Sequence, residues 1–258
     1  MRISIDVWMH YKLAAADTVF YAVEVAQTLG QVVKAQTLEI ANAQVNRILG
    51  DSGVGTRLCA AIPDQDMQLS YKALVDITRS AVDLPQLNAT PVHELPAEAA
   101  PYLRPSYYCQ SDQFVEFVGD TFGHVEGGAK IAVMRDWIES EVSYVIGSSD
   151  QDTTVLDTFQ TRQGVCRDYT HLICAFARAA QIPARAVAAY SPNVRPQDFH
   201  AVAQVWLDGA WHLVDATGMC NADDLAVIAV GRDAYDIAFM DSSVFAQCQR
   251  QEVRVSRI

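Results

Sequence analysis

Five of the nine prolines in this 258-residue chain fall between residues 83 and 107: Pro85, Pro91, Pro96, Pro101 and Pro105. Proline fixes φ and removes a backbone donor, so a stretch this rich in it forms neither a long helix nor a central strand. The chain is therefore divided. The segment before the prolines must fold as one unit and the segment after them as another. The stiffened stretch joins the two as an ordered, mostly extended connection.

The first part alternates. Ile3, Ile5, Val7, Met9 and Tyr11 share one face of a strand, with Ser4, Asp6 and His10 on the other. Residues 19–28 and, more weakly, 37–41 are extended by composition. Residues 57–62 form a further strand closed by Pro63-Asp64, and Leu69, Tyr71, Ala73, Val75 and Ile77 repeat with a period of two. Asp51-Ser52-Gly53 is a turn. Short strands separated by turns predict an antiparallel β-sandwich over residues 1–84. No catalytic grouping appears here; His10, Asp64 and Asp66 suit solvated strand and turn positions.

The second part changes period. Ser111-Asp112 can cap a helix carrying Phe114, Val115, Val118 and Phe122. Gly127-Gly128 interrupts, and Ile131, Met134, Ile138 and Val142 come next at helical spacing. A short helix over 153–160 precedes a longer one whose apolar positions are Tyr169, Leu172, Ile173, Phe176, Ala177 and Ala180, ended by Pro183. Strands are predicted over 185–190, 200–207, 210–214 and 225–230, with a last one near 252–255. Asp208-Gly209 between apolar runs is a hairpin signal. Helices followed by strands predict an α+β second domain over 85–258, linked to the first through about 83–107.

Charge excludes some partners. The formal net charge of −12 argues against nucleic acid or an anionic membrane surface as the main partner. No run approaches the ~18 apolar residues of a membrane span, and residues 1–6 lack the pattern of a signal peptide, so the expectation is a soluble, cytoplasmic protein without a membrane partner. Cysteines 59, 109, 166, 174, 220 and 248 form no CxxC pair and no metal-ligand spacing, so neither a disulfide framework, nor a metal, nor any other cofactor is expected. The Asp223-Asp224 pair suits a solvated loop. Oligomeric state is left open.

One cysteine is placed for chemistry. Cys166 lies at or just before the first turn of the third long helix, where unpaired N–H groups and the helix dipole favour a thiolate; Arg167 could add positive charge. Asp168, in the first turn, suits the dipole, and Cys174 suits the core. His171 fits the helix surface. The hairpin supplies possible partners. His200 opens its first strand and Asp215 leaves its second, so the two are predicted to be neighbours. An aspartate beside an imidazole sets its tautomer and stabilises its charged form. If the helix N-terminus packs against that end of the sheet, a thiol, a base and an orienting carboxylate meet. The Cys166 N–H is a natural oxyanion donor, and Gln163, Gln160 or a backbone group could be the second.

These segments resemble a known family. Gln163-Gly164-Val165-Cys166-Arg167-Asp168, its helix and Ile182-Pro183-Ala184-Arg185 are similar to the nucleophile segment of bacterial transglutaminase-like proteins. Asp198-Phe199-His200-Ala201 resembles the family's histidine segment, and Trp211-His212-Leu213-Val214-Asp215-Ala216-Thr217 its aspartate segment. Tyr102-Leu103-Arg104-Pro105-Ser106 and Ile228-Ala229-Val230-Gly231-Arg232-Asp233-Ala234 resemble the flanks of the same core. The resemblance spans roughly residues 100–240. It implies a papain-like α+β core with Cys166 as nucleophile, His200 as general base and acid, and Asp215 as orienting group. The implied activity opens an amide, a peptide bond or a glutamine side chain, through a Cys166 thioester. Water as acceptor makes a cysteine protease or amidase, the favoured reading, and an amine makes a transglutaminase. A non-catalytic peptide-binding or scaffold role is the alternative from another class. Where the family often has tryptophan, two residues after the histidine, this chain has Val202, a difference that bears on pocket shape.

Overall fold

The computed structural model describes residues 1–258. Six strands come first: β1 (Arg2–Leu13), β2 (Asp17–Tyr21), β3 (Gln31–Ile40), β4 (Gln44–Leu49), β5 (Thr56–Ile62) and β6 (Asp66–Ile77). After the proline-rich connection come α1 (Val115–Phe122), α2 (Gly127–Glu141), β7 (Ser143–Tyr144), α3 (Val155–Thr161), β8 (Gln163–Gly164) and α4 (Cys166–Ala179). The chain ends with β9 (Ala184–Tyr190), β10 (His200–Leu207), β11 (Ala210–Val214), β12 (Ala226–Gly231), α5 (Ala234–Ile237), β13 (Met240–Asp241) and β14 (Ala246–Arg257).

Two four-stranded antiparallel sheets form the predicted sandwich, in the orders β14-β1-β6-β3 and β13-β2-β5-β4. Alternation along β1 and β6 turns Ile3, Ile5, Val7, Met9, Leu69 and Val75 inward, against Val19, Tyr21, Leu58, Ala60 and Ile62 of the other sheet. Packing two apolar faces removes both from water, which is the main force holding such layers together.

The last strands revise the predicted boundary. Assigning all of 85–258 to the second domain does not hold for the C-terminus. β14 pairs with β1 along nearly its whole length, from Ile3↔Arg257 to Leu13↔Ala246, and β13 pairs with β2. Without β14, the apolar Ile5 and Val7 edge would lack the cover that Val253 and Val255 provide. β4 was absent from the strand pattern because it is an edge strand whose residues are mostly exposed on both faces.

The third antiparallel sheet, β11-β10-β9-β12, carries the hairpin. All residues of β9 and β10 are buried, since the sheet faces the sandwich on one side and α4 on the other. α4 packs Leu172, Ile173, Phe176 and Ala177 with Ala184, Ala203, Val205 and Leu207. Phe176 is fully buried amid the rings of Phe114, Phe117, Phe122, Phe159 and Trp137. Arg178 is buried as well. Its guanidinium donates to the carbonyls of Ala184 and Arg232 and to Ser106 Oγ, tying the helix to β9, to the end of β12 and to the connection.

The proline-rich connection is ordered, as expected, but it runs through short 3₁₀ turns as well as extended backbone. It lies against the second half: Gly128 N–H donates to Leu87 O, and Asp208 N–H to Asn88 O. A Cβ at Gly128 would fall 1.8 Å from Leu84 O, so only glycine admits this approach. Gly127-Gly128 thus opens α2 rather than merely separating two helices.

Candidate functional site

The hairpin does what its turn predicts. β10 and β11 pair from Leu207↔Ala210 to Ala203↔Val214, which brings His200 and Asp215 together at the open end. His200 Nε2 lies 2.9 Å from Asp215 Oδ2, with both side chains out of solvent. The carboxylate is saturated. Oδ1 accepts from the Thr217 N–H (2.8 Å) and hydroxyl (2.7 Å), and Oδ2 also accepts from the Cys220 N–H (3.0 Å).

These contacts set the charges. Burial pushes the Asp215 carboxyl up, but His200 and the Thr217 donors outweigh it and hold the group below its ordinary value. Burial pushes the His200 imidazole down, yet Asp215, then Cys166 and Cys220, favour its charged form and hold it well above the ordinary histidine value. An ionised carboxylate only accepts, so Nε2 carries a proton. In the neutral ring Nδ1 then holds the free lone pair, and this buried atom has no hydrogen-bond partner.

Cys166 is the first residue of α4, and its N–H lacks a partner within the helix. The turn before it is held by Asp168, fully buried, which accepts from the Val165 N–H (2.8 Å) and Ser149 Oγ (2.6 Å). Gly164 fits because a Cβ there would meet Asp168 Cβ at 2.7 Å. Cys166 is half-buried, and its thiol is close enough to the imidazole to favour the ring's charged form. The Arg167 guanidinium donates to Asp168 and to the Asp150 carbonyl.

Tyr144 also belongs to the site, although nothing local in the sequence marks it. The parallel pairing Tyr144↔Gly164 sets it beside the start of α4. Burial and the adjoining Cys166 push its phenol up, while the Cys166 N–H opposes that rise, so the phenol remains protonated near neutrality and faces the cysteine. Gln160 and Gln163, the expected side-chain donors, are both exposed. Their adjacency in sequence carried no information about direction, and only the two-residue β7–β8 pairing could have pointed to Tyr144.

Other expectations are corrected. His171 is buried rather than on the helix surface: it stacks on Tyr108 with ring centroids 5.2 Å apart, and its Nε2 accepts from the Ala234 N–H. Asp224 is not solvated; it accepts from Asn193 Nδ2 and from Arg257 of β14. Arg232 pairs with Asp236, and Asp233 caps α5 and accepts from the Tyr108 N–H. Cys174, by contrast, is fully buried in the core as expected, and burial raises its thiol to about 11.

One grouping was not foreseen. His200, Asp215 and Cys220 each place one polar side-chain atom within 4.8 Å of the others. The Cys220 thiol, on the loop after β11, thus adjoins the imidazole and the carboxylate. A cavity of about 190 Å³ bordered by Phe20, Tyr21, Arg57, Tyr235, Asp236 and Asp241 lies elsewhere, and none of these thiol, imidazole or carboxylate groups lines it.

Fold and site together define an α+β protein of the papain-like class, in which thiol, imidazole and carboxylate are gathered as thiol-dependent acyl transfer or hydrolysis requires. A model of the family described as "Transglutaminase-like superfamily" matches residues 120–216. The crystal structure described as "a Putative Cysteine Protease from Cytophaga hutchinsonii" is 32% identical, with a TM-score of 0.93 over 99% of this chain and 90% of that one. An uncharacterised protein of Mycobacterium leprae (strain TN) is 28% identical over 146 residues, 53% of this chain and 52% of that protein. The match thus spans about half the length of that curated relative. The chain belongs to the transglutaminase-like superfamily.

Proposed function

We propose that the chain opens an amide of a peptide or protein through a thioester on Cys166, with water as the usual acceptor, as a cysteine protease or amidase does. The observation that carries this reading is the tautomer. Asp215 holds Nε2–H, so Nδ1 is the nitrogen left to exchange a proton with the adjoining thiol. Nδ1 takes the Cys166 proton, and the sulfur attacks the amide carbonyl. The resulting oxyanion is met by the Cys166 N–H and the Tyr144 hydroxyl. Nδ1–H then protonates the leaving amine as the C–N bond breaks. Water adds to the thioester, giving a proton to Nδ1, and the carboxylic acid leaves as the thiol is restored. The cytoplasm is the proposed compartment: six free cysteines suit a reducing environment.

A second reading has its own support, because Cys220 also adjoins His200. In that reading Cys220 is the nucleophile. Cys166 is favoured by its helix N-terminal position and its partial exposure, whereas Cys220 is buried.

The test is incubation with an amide-substrate library, with and without a primary amine, and separation of free acid and amine adduct by mass. Cys166→Ala should abolish both products and Cys220→Ala should not. The opposite pattern would transfer the role to Cys220. Amine adduct as the main product would make the protein a transglutaminase. A complete absence of turnover, with Cys166 alkylated by iodoacetamide no faster than Cys174, would favour a binding or scaffold role.

A further inference from the structure

Arg185 closes the segment Ile182-Pro183-Ala184-Arg185 and has no part in the reaction proposed for Cys166. Register sets it opposite Gln204 on β10, and Gln204 opposite Leu213 on β11. Residues directly across antiparallel strands share one face of the sheet. Arg185 therefore lies on the face that carries Gln204 and the cross-strand pair Trp206 and Trp211. Ala184, Ala203 and Val205, one residue out of step, pack with α4 instead. Gln204 is four residues past His200, about 13 Å along the strand, so this is a separate place on the sheet.

Arg185 is only 5% exposed. Its acceptor at hydrogen-bond distance is Gln204 Oε1, 2.8 Å from Nε. The guanidinium otherwise faces rings: its carbon is 4.1 Å from the Trp211 ring centroid and 5.8 Å from that of Tyr102. Tyr102 and Trp206 both pack edge-on against Trp211. Burial lowers the guanidinium to about 10, against the Tyr102 hydroxyl and Glu98, which favour its charged form; it is still a cation at neutral pH. Aromatic faces attract a cation but do not neutralise it, and a buried charge is ordinarily paired. Arg178, the other buried arginine, shows the contrast, since its guanidinium donates to three acceptors. The buried indole N–H groups of Trp206 and Trp211 lack acceptors as well.

We propose that Arg185, framed by Trp211, Tyr102 and Gln204, binds a small oxyanion, a carboxylate or a phosphate, which supplies the missing counter-charge. A guanidinium presents a planar fork that matches two oxygens of either group, and a flanking ring holds that plane in place. Trp211 is half-buried on the edge strand β11 and Glu98 is exposed, so the site borders solvent. Glu98 is the protein's own carboxylate acting on this cation, and a bound anion competes with its field. The site rests on this cluster alone and does not depend on which thiol is the nucleophile.

The test is tryptophan emission of the full chain, since two of its four tryptophans stand at the site. Sodium phosphate and sodium acetate are titrated separately, with ionic strength held constant by sodium chloride. A saturable change with either anion is expected, and the tighter of the two gives the class of ligand. Arg185→Gln should weaken binding by about 10–100-fold. Arg185→Lys, which keeps the charge and loses the fork, should fall between that variant and the native chain. Glu98→Gln should tighten binding by about 1.5–5-fold, and Cys166→Ala should leave it unchanged. No saturable change with either anion, or an affinity untouched by both Arg185→Gln and Glu98→Gln, would overturn the site. If Arg185→Gln does not fold, an affinity untouched by the surface variant Glu98→Gln overturns it alone. Anion binding with these signatures in a chain that turns over no amide would uphold the site while the catalytic reading fails.

Discussion

His200 and Asp215, fifteen residues apart, meet at 2.9 Å because a hairpin turning at Asp208-Gly209 folds their strands back on each other. The carboxylate has no spare capacity, and the ring has one free nitrogen. Asp215→Asn removes the charge that favours the imidazolium and permits the wrong tautomer. It should lower kcat/KM on the order of 10³–10⁴-fold. In the native chain the acid limb of kcat/KM should lie above the ordinary histidine value of 6.5, because the ring must be neutral to take the Cys166 proton and His200 is raised. In the variant that limb should move to lower pH. A limb that stays in place would show that Asp215 does not set the His200 proton.

The same pair should shape stability. Asp215 is depressed in the folded chain, so its contribution is present above its unfolded value near 3.8 and lost as pH falls through the lower folded value. His200 is raised, so its contribution is complete below 6.5 and lost as pH rises through the folded value. The stability difference between the native chain and His200→Gln should therefore be widest between 3.8 and 6.5 and narrow on both sides. Urea denaturation across pH measures it. A difference that is flat with pH would mean that the pair's charge is not coupled to folding.

Tyr144→Phe keeps the ring and removes the hydroxyl. Loss of one oxyanion donor should reduce kcat by about 10²–10³-fold with little change in KM. Iodoacetamide reactivity of Cys166 should be largely kept, since the thiol retains His200. An equal rise in KM with kcat unchanged would make Tyr144 a substrate-binding residue instead.

The legible parts of this site are those written in local signals. The Asp-Gly turn and the flanking apolar runs located the hairpin, and a Gly-to-Pro interval of helical period located α4. Tyr144 was hidden because its position depends on a two-residue parallel pairing between segments separated by α3. His171 was misplaced because α4 is covered on nearly every side, so helical spacing did not distinguish an inner from an outer face. The sequence pattern marks only a short piece of β14, whose partner β1 lies at the opposite end of the chain, where no local pattern announces it.

That long-range pairing yields a final prediction. β14 is an edge strand of the sandwich, but Val253 and Val255 are buried over β1, and Arg257 reaches Asp224 in the second half. Removing residues 246–258 leaves the N–H and C=O row of β1 without its partner and exposes Ile5 and Val7. It also unties the loop after Cys220, which approaches His200. Phe176→Ala, by contrast, excavates the helical core and should cost about 3–5 kcal/mol without altering the sandwich edge. Hydrogen exchange separates the two. The truncation should deprotect β1 amides first and more strongly than those of α4, whereas Phe176→Ala should loosen α4 and its neighbours. Equal loss of protection throughout in both variants would mean that the sandwich and the helical layer unfold as one unit, as their shared sheet would then require.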